Sequence, residues 1–558
     1  MSKNEMKSNP LSNQSPNSDH TYTPDHDENK NRKFNEKLFL KMKKLWPLSK
    51  ISGRIFLIYL LVVLLGGLLL SIPGVVVNDN FHWSFLTGIF TASSAFSDTG
   101  INIADVSHDY SFWGQLLCAI MIEIGGIGIL TFKIVLFLAI NKRISLNDTQ
   151  TAQSERGSST TAYTIELIRD GFIWLTIVQI SAAIVLFFAF FFQEPGTITQ
   201  NMVDIGGGQY ENTALNTVSP FHDFKLSLWF AIFHSTSAIN NAGFDIISSG
   251  SLQPYNVQGH YSYLIQVVFL MEWILGGLGY PTFHDIKRKI RARRAGYSVK
   301  FSLFAKLNFW VYSFFLIAGP LMVFGTEMIN QDQSMIFNYY QYETGAFGVT
   351  SNVEILSAKP MGVAIMDIIF NTTACRNAGF STVPINDFNA GSKTIMSALM
   401  FIGSAPSSTA GGIRTTTFAI IMLATWAIIR NNRQTTAFKK TIPEITVKRA
   451  FAVFFISATL VIISIIAIYS DSAKVLSPTQ TGDTSVVQIL TLITSAFGTV
   501  GMNPFTGEQM VAFGALSKIV MIMMMFLGQL GISNTLLVFV KPSTKKMYGY
   551  LEEDVVIG

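Results

Sequence analysis

Long uncharged apolar runs alternate with polar stretches along most of the chain. Ile55 to Val77, Phe172 to Phe192, Leu307 to Gly325 and Phe451 to Ser470 carry no charge. Each is close to the ~20 apolar residues that a membrane-spanning helix needs. Four more apolar stretches lie between them: Phe112 to Ile140, Tyr263 to Phe283, Ile395 to Ile429 and Leu516 to Val540. The pattern predicts eight spans. The first run is too long for a signal peptide and lacks a suitably placed small-residue cleavage site.

Between each uncharged run and its partner lies a moderately apolar stretch, such as Phe81 to Phe96 or Leu226 to Ile239. It suits a half-membrane helix and leaves little room for a full span. Each of these stretches runs into a recurring segment. Ser93-Ser-Ala-Phe-Ser-Asp-Thr-Gly100, Thr236-Ser-Ala-Ile-Asn-Asn-Ala-Gly243, Thr372-Thr-Ala-Cys-Arg-Asn-Ala-Gly379 and Thr494-Ser-Ala-Phe-Gly-Thr-Val-Gly501 align without gaps. All four share a Ser/Thr pair, an alanine and the final glycine, and a large apolar residue follows: Ile101, Phe244, Phe380 or Met502. The chain therefore reads as four repeats of helix, re-entrant half-helix, extended glycine segment and helix.

Extended backbone at membrane depth is tolerated only where it lines water or is buried in protein. Four such segments around one axis make rings of carbonyl oxygens, which can replace the hydration shell of a monovalent cation. Glycine permits the backbone angles that point successive carbonyls one way. The candidate filter residues are Asp98, Thr99 and Gly100; Asn241, Ala242 and Gly243; Asn377, Ala378 and Gly379; and Thr499, Val500 and Gly501. The Ser/Thr pairs are expected to hydrogen-bond within the half-helices.

A second motif follows each filter segment. Gly125-Gly-Ile-Gly128, Gly276-Gly-Leu-Gly279 and Gly411-Gly-Ile-Arg414 share a frame, and Gly528-Gln-Leu-Gly531 is a weaker copy. In the third repeat it follows Gly403, Ser404, Ala405, Pro406, Ser407, Ser408, Thr409 and Ala410. Proline and small polar residues in mid-span disfavour a regular helix. A broken helix beneath a filter is a candidate gate.

Composition agrees with lipid contact. Of the 558 residues 49% are hydrophobic and 13% charged, with a mean hydropathy of +0.37; soluble proteins carry about 25% charged residues. Charge placement sets the orientation. If residues 78–112, 194–225, 327–393 and 471–518 face outward, they hold 6 of the 40 Lys and Arg. Both termini are then cytoplasmic, and the basic run from Lys287 to Arg294 is too. Residues 1–33 read as a disordered tail and Phe34 to Trp46 as an interfacial segment. The repeats are expected at 50–141, 165–294, 300–433 and 446–545, flanked by cytoplasmic segments 1–49 and 546–558. Cys118 and Cys375 read as buried apolar residues with no disulfide or metal framework.

On the four glycine segments and the stretch Gly403 to Thr417, the chain resembles the potassium transporters that include the bacterial Trk and Ktr membrane subunits and the plant HKT proteins. The resemblance covers about residues 50–545. It implies an all-α polytopic membrane protein of four helix–pore-loop–helix repeats around a central K⁺ pathway. It also implies a plasma-membrane homodimer, a cytosolic nucleotide-binding regulatory ring and a gating loop from Gly403 to Gly412, with Arg414 just below it. In the plant relatives a serine at the first filter position accompanies Na⁺ preference, so Gly100 points to K⁺. The chain departs from the pattern in three places. Ser407 replaces a common glycine, Gln529 stands where an arginine is usual, and segments 194–225 and 327–360 are long.

Glu123, Glu272 and Arg414 lie within apolar spans, where charge is costly. Arg414 either repels cations at the gate or pairs with Glu123 or Glu272. Asp98 is either a cation concentrator at the outer mouth or a solvated loop carboxylate. Arg376 is expected to point away from the pore and pair with an acid. His234 reads as a satisfied buried histidine. A K⁺-conducting subunit is the leading reading. An Na⁺- or H⁺-coupled K⁺ symporter and the K⁺-binding subunit of an ATP-driven pump are the alternatives. No phosphate-binding loop, nucleophile elbow or zinc-protease motif is present, so no enzyme activity is expected. No cofactor or nucleic-acid partner is expected, and the bilayer is the surrounding medium.

Overall fold

The computed structural model describes residues 51–77, 84–140, 144, 149, 164–204, 210–214, 217–344, 350–472 and 482–532. The expected interfacial segment Phe34 to Trp46, the N-terminal tail and the cytoplasmic C-terminus lie outside the described residues.

One element order recurs four times. A long helix comes first, then a short buried helix, a glycine segment and a second, broken helix. In chain order these are α1 (Ile51–Leu70), α2 (Phe85–Phe96), α3 (Phe112–Ile127) and α4 (Ile129–Ala139); then α5 (Thr164–Phe192), α6 (Phe224–Ile239), α7 (Tyr263–Gly277) and α8 (Tyr280–Arg294). The third set is α9 (Leu303–Met328), α10 (Met361–Ala374), α11 (Ala390–Phe401) and α12 (Thr415–Ile429). The fourth is α13 (Glu444–Asp471), α14 (Gly482–Gly498) and α15 (Ala515–Leu530).

Among the described residues, the long helices α1, α5, α9 and α13 are the four single helices with length and hydropathy enough to cross a membrane. Their exposed faces carry large apolar side chains such as Leu61, Ile180, Phe314 and Phe455. The short helices α2, α6, α10 and α14 have 12, 16, 14 and 17 residues. At ~1.5 Å per residue the shortest is about 18 Å long, roughly half of a ~30 Å hydrocarbon core.

The second helices differ from the sequence expectation. A break was expected in the third set alone, yet α3, α7 and α15 also end at or beside a glycine of the repeated motif, while α11 ends earlier, at Phe401. Gly128, Gly279, Gly412 and Gly531 have φ of 80°, 78°, 75° and 78°. A left-handed residue terminates a right-handed helix, and glycine adopts that angle without a side-chain penalty. The chain turns by 89° between α7 and α8. What reads in sequence as one apolar run is therefore two helices at an angle.

The all-α expectation needs a second correction. The long segments 194–225 and 327–360 carry antiparallel hairpins, β1 (Thr199–Asp204) with β2 (Tyr210–Ala214), and β3 (Asn338–Thr344) with β4 (Thr350–Ala358). Thr, Tyr, Val and Ile favour strands there. Thr436–Ala437 pairs with Lys440–Thr441 through Phe438 and Lys439, both at positive φ, the geometry of a two-residue hairpin turn.

Polar side chains near the C-termini of three long helices anchor the starts of the second helices. Gln193 Oε1 accepts from Ser262 Oγ just before α7. Glu327 Oε1 accepts from Asn389 N at 2.9 Å and from Ser392 Oγ at 2.6 Å at the start of α11. Asp471 Oδ2 accepts from Ser517 N at 2.9 Å and Ser517 Oγ at 2.8 Å at the start of α15. These caps meet the N–H groups that a helix leaves unpaired at its N-terminus.

Glu327 also accepts from Ser334 Oγ, so Glu327→Ala strands two donors in the interior, Asn389 N–H and the Ser334 hydroxyl, while Ser392 Oγ keeps Thr326 Oγ1 at 2.8 Å. Each buried unmet donor costs about 1–3 kcal/mol. The variant is expected to denature in detergent at a clearly lower temperature than the parent, and Glu327→Gln, which keeps an acceptor, at an intermediate one. A thermal melt followed by size-exclusion chromatography measures this. Parent-like melting of Glu327→Ala rejects the capping role.

Candidate functional site

Each short helix delivers its glycine segment to a common point. The N–H groups of Thr99, Ala242 and Val500 donate back to the carbonyls of Ser94, Ser237 and Ser495 at 2.8–2.9 Å. Ala378 N donates to Ala374 O at 2.8 Å. With its N–H tied to the helix end, each residue before the glycine has its own carbonyl available to the centre. Gly100, Gly243, Gly379 and Gly501 then take φ of 82°, 68°, 73° and 110°.

The glycines are the points of closest approach. A methyl group on Gly243 would stand 2.8 Å from Ala378 O and 3.0 Å from Val500 O. One on Gly501 would strike Thr99 O, one on Gly379 would strike Val500 O, and one on Gly100 would strike Ala242 O. The four segments thus surround one small space, with backbone oxygens from all four facing it. All four glycines also line a cavity of about 980 Å³.

The residues two before each glycine face elsewhere. Asn241 Nδ2 donates to Thr409 Oγ1 at 2.5 Å, and Thr499 Oγ1 accepts from Gly411 N at 2.7 Å. Both partners belong to the segment Gly403 to Gly412. That segment is also joined to the α7–α8 bend, through Ala405 N to Gly277 O at 3.2 Å and Tyr280 N to Ser407 O at 3.1 Å. Ser407, where a glycine was the common residue, sits at φ 61°, a conformation few side chains adopt cheaply. Pro406, Ser407, Ser408, Gly412 and Arg414 line a second cavity of about 290 Å³, which shares no residue with the first.

Four glycine segments meeting at one axis, above a non-helical segment tied to two of them, have a counterpart among known proteins. The family described as TrkH, cation transport protein, matches residues 55–548. The chain belongs to this family. An uncharacterized cation transporter of Mycoplasma genitalium is 31% identical, over 94% of this chain and all of that protein. The Ktr system potassium uptake protein D of Bacillus subtilis is 27% identical, over 93% of this chain and all of that protein. The crystal structure of the potassium transporter TrkH from Vibrio parahaemolyticus superposes with a TM-score of 0.57 at 15% identity. That match covers 88% of this chain and 84% of the other and shows a shared fold. As a TrkH-family member the chain is a membrane transporter and not an enzyme.

Several side chains of this family member sit differently from expectation. Asp98 is fully buried, and its Oδ2 accepts from Gln529 Nε2 at 3.0 Å. It therefore does not stand in the outer mouth. Gln529, in the place of the usual arginine, also offers its carbonyl to Arg414 Nη2 at 3.4 Å. Arg414 Nη1 donates to Ala410 O. The expected pairing of Arg414 with Glu123 or Glu272 is not made. Glu123 accepts from Asn240 Nδ2 at 2.9 Å and Gln179 Nε2 at 3.2 Å, and Glu272 lies against Ser235.

Arg376 points into the protein as expected but meets no acid among the described residues. Its guanidinium donates to Gly403 O at 3.0 Å and Tyr312 O at 3.4 Å. It also lies 4.7 Å from the Tyr312 ring and 5.2 Å from that of Phe315. Carbonyl oxygens and π-faces supply the negative potential that a carboxylate would have supplied. The expected hydroxyl bonds within the short helices occur for Thr373 and Thr494, each 2.7 Å from the carbonyl four residues back. The hydroxyls of Ser93, Ser94, Ser237 and Thr372 have no hydrogen-bond partner among the described residues. Cys118 and Cys375 are buried and unpaired.

The large cavity also holds residues that sequence reasoning did not single out: Asp105, Asp245, Asp387 and Lys359. Their signal was weak because isolated acids in polar loops are usually solvated. Burial, and then the charge of Asp105, pushes the Asp245 carboxyl up to about 7, against hydrogen bonds from Ser248 and Ile247 N–H that pull it down. Asp245 therefore gains a proton as the pH on that side falls through 7. At pH 6 about nine in ten copies are neutral. Cation influx is expected to fall over that window and to become flat in Asp245→Asn. Initial rates in vesicles titrated on the outer side measure this, and an unchanged profile in the variant rejects it.

Proposed function

We propose that this chain takes up K⁺ across the plasma membrane through a selectivity filter built by the four glycine segments. The observation that carries the reading is the meeting of the four glycines with the carbonyls of Thr99, Ala242, Ala378 and Val500. Such oxygens can replace the water around a dehydrated monovalent cation. The relatives named as potassium uptake proteins support K⁺ as the ion.

The arrangement behind this reading is eight spans and four re-entrant pore helices, the second span of each repeat being the broken helix. The repeats occupy 50–141, 165–294, 300–433 and 446–545, with both termini in the cytoplasm. Gly403 to Gly412 acts as the gate. Its bonds to Asn241 and Thr499 hold it beneath the filter, and Arg414 completes the closed state through Ala410 O and Gln529 O. In keeping with the Trk and Ktr resemblance, the chain works as a homodimer on a cytosolic nucleotide-binding ring. The exposed basic end of α8, with Arg291, Arg293 and Arg294, is a suitable dock for that ring.

A second reading is ion-coupled K⁺ symport. A relative named as a potassium/sodium uptake protein in Enterococcus hirae, 28% identical over 92% of this chain, favours Na⁺ as the coupling ion.

Flux into liposomes containing the purified chain tests these readings. K⁺ influx that follows the K⁺ gradient alone supports conduction, whereas an absolute need for an Na⁺ or H⁺ gradient supports symport. Gly100→Ser is expected to lower K⁺ over Na⁺ discrimination by roughly fivefold to tenfold, about 1 kcal/mol or slightly more, with a smaller loss of total flux. Unaltered discrimination would mean that Gly100 does not line the ion path. Deleting Ser404 to Ala410 is expected to raise K⁺ influx and remove dependence on the regulator, and unchanged regulation rejects the gate.

A further inference from the structure

Two carboxylates lie near the C-terminal end of α6, and they are satisfied in different ways. Glu123 accepts two N–H groups on Oε2, from Asn240 and from Gln179. An ionised carboxylate fits that site, because both neighbours are donors. Glu272 is 1% exposed and Ser235 fully buried. Glu272 Oε1 lies 2.5 Å from Ser235 Oγ, and Ser235 Oγ lies 2.8 Å from Gln179 O. Glu272 Oε2 has no partner. Neither acid forms an ion pair among the described residues.

Counting hydrogens separates the two. Ser235 has one hydroxyl hydrogen and two acceptors within reach, Glu272 Oε1 and Gln179 O. With Glu272 ionised, Ser235 can give that hydrogen to only one of them, and a charge inside the membrane holds at most one hydrogen bond, since Oε2 has no donor among the described residues. That arrangement is expensive. With a proton on Oε1, Glu272 donates to Ser235 Oγ and Ser235 donates to Gln179 O. Both contacts are then satisfied, and only a neutral carbonyl oxygen is left over. His234, the titratable neighbour on α6, adds no charge: Nδ1 donates to Phe230 O and Nε2 accepts from Ile246 N.

We propose that Glu272 is an intramembrane proton-binding site, which keeps its proton throughout transport and uses it to position the second pore helix. Gln179 links the two acids, with its backbone carbonyl at the end of the Glu272 chain and its amide on Glu123 and on Thr236 Oγ1 at 3.0 Å. Ser235 and Thr236 lie near the C-terminal end of α6, seven residues before Ala242 and Gly243. Glu272 is thus a positioning residue for one of the four carbonyl strands. This consequence rests on reading the Gly243 segment as filter; the bound proton does not.

The test uses the full chain in liposomes. Subtracting the infrared spectrum of Glu272→Gln from that of the parent should leave the carbonyl stretch of a protonated carboxylic acid, shifted when both proteins are unfolded and refolded in deuterated buffer. Glu272→Gln keeps a neutral N–H donor to Ser235, so its K⁺ influx and K⁺/Na⁺ ratio should stay within about twofold of the parent. Glu272→Ala and Ser235→Ala break the chain and should lower that ratio, while leaving the Asp245 pH profile in place. No acid band in the parent overturns the proposal. So does a folded Glu272→Gln that loses more than about tenfold of its influx, since a working charge would then be needed. Proton uptake stoichiometric with K⁺ and abolished in Glu272→Gln overturns it as well, because the proton would be moving. The infrared arm decides the proton even if Gly100→Ser were to refute the filter.

Discussion

Backbone that leaves the helix inside a membrane must still place every N–H and C=O. The glycine segments meet this constraint asymmetrically. The N–H before each glycine returns to the short helix, and the C=O is left for the centre. Left-handed φ at all four glycines turns the chain away immediately afterwards. The short helices, the caps that seat the second helices and the long outer helices all serve to bring these strands together.

The same constraint links the filter to the gate. Residues two before the glycines cannot point at the axis, which the carbonyls occupy, so their side chains turn outward. There Asn241 and Thr499 meet Thr409 and Gly411. Any movement of the segment Gly403 to Gly412 must break or carry these bonds, so it is mechanically joined to the glycine strands. Arg376 adds a third link, from a filter strand through Gly403 O to the first residue of the gating segment.

Buried charge is distributed unevenly around the axis. Arg376 lies behind the third strand, Glu123 behind the second and Asp98 behind the first. Each is held by carbonyls, amides or rings, and Gln529 contributes a neutral amide to Asp98. Fourfold pseudo-symmetry therefore describes the backbone and not the electrostatics. The four strands need not contribute equally to ion preference.

The recurring glycine segments, the non-helical stretch from Gly403 to Gly412 and the long helices were legible in the sequence because local chemistry dictates them. An uncharged run of about 20 residues has few alternatives to a span, and a glycine after a Ser/Thr pair recurs only where the backbone demands it. The broken second helices were legible only in part. Proline marked one, but Gly128, Gly279 and Gly531 look like ordinary glycines until φ is known. Pairings between distant residues were not legible. Asp98 with Gln529, 431 positions apart, Arg376 with Gly403 O, and Glu272 with Ser235 arise from how the helices pack. A buried charge accepts any partner of suitable polarity. The sequence fixes that one must exist, and tertiary packing decides which.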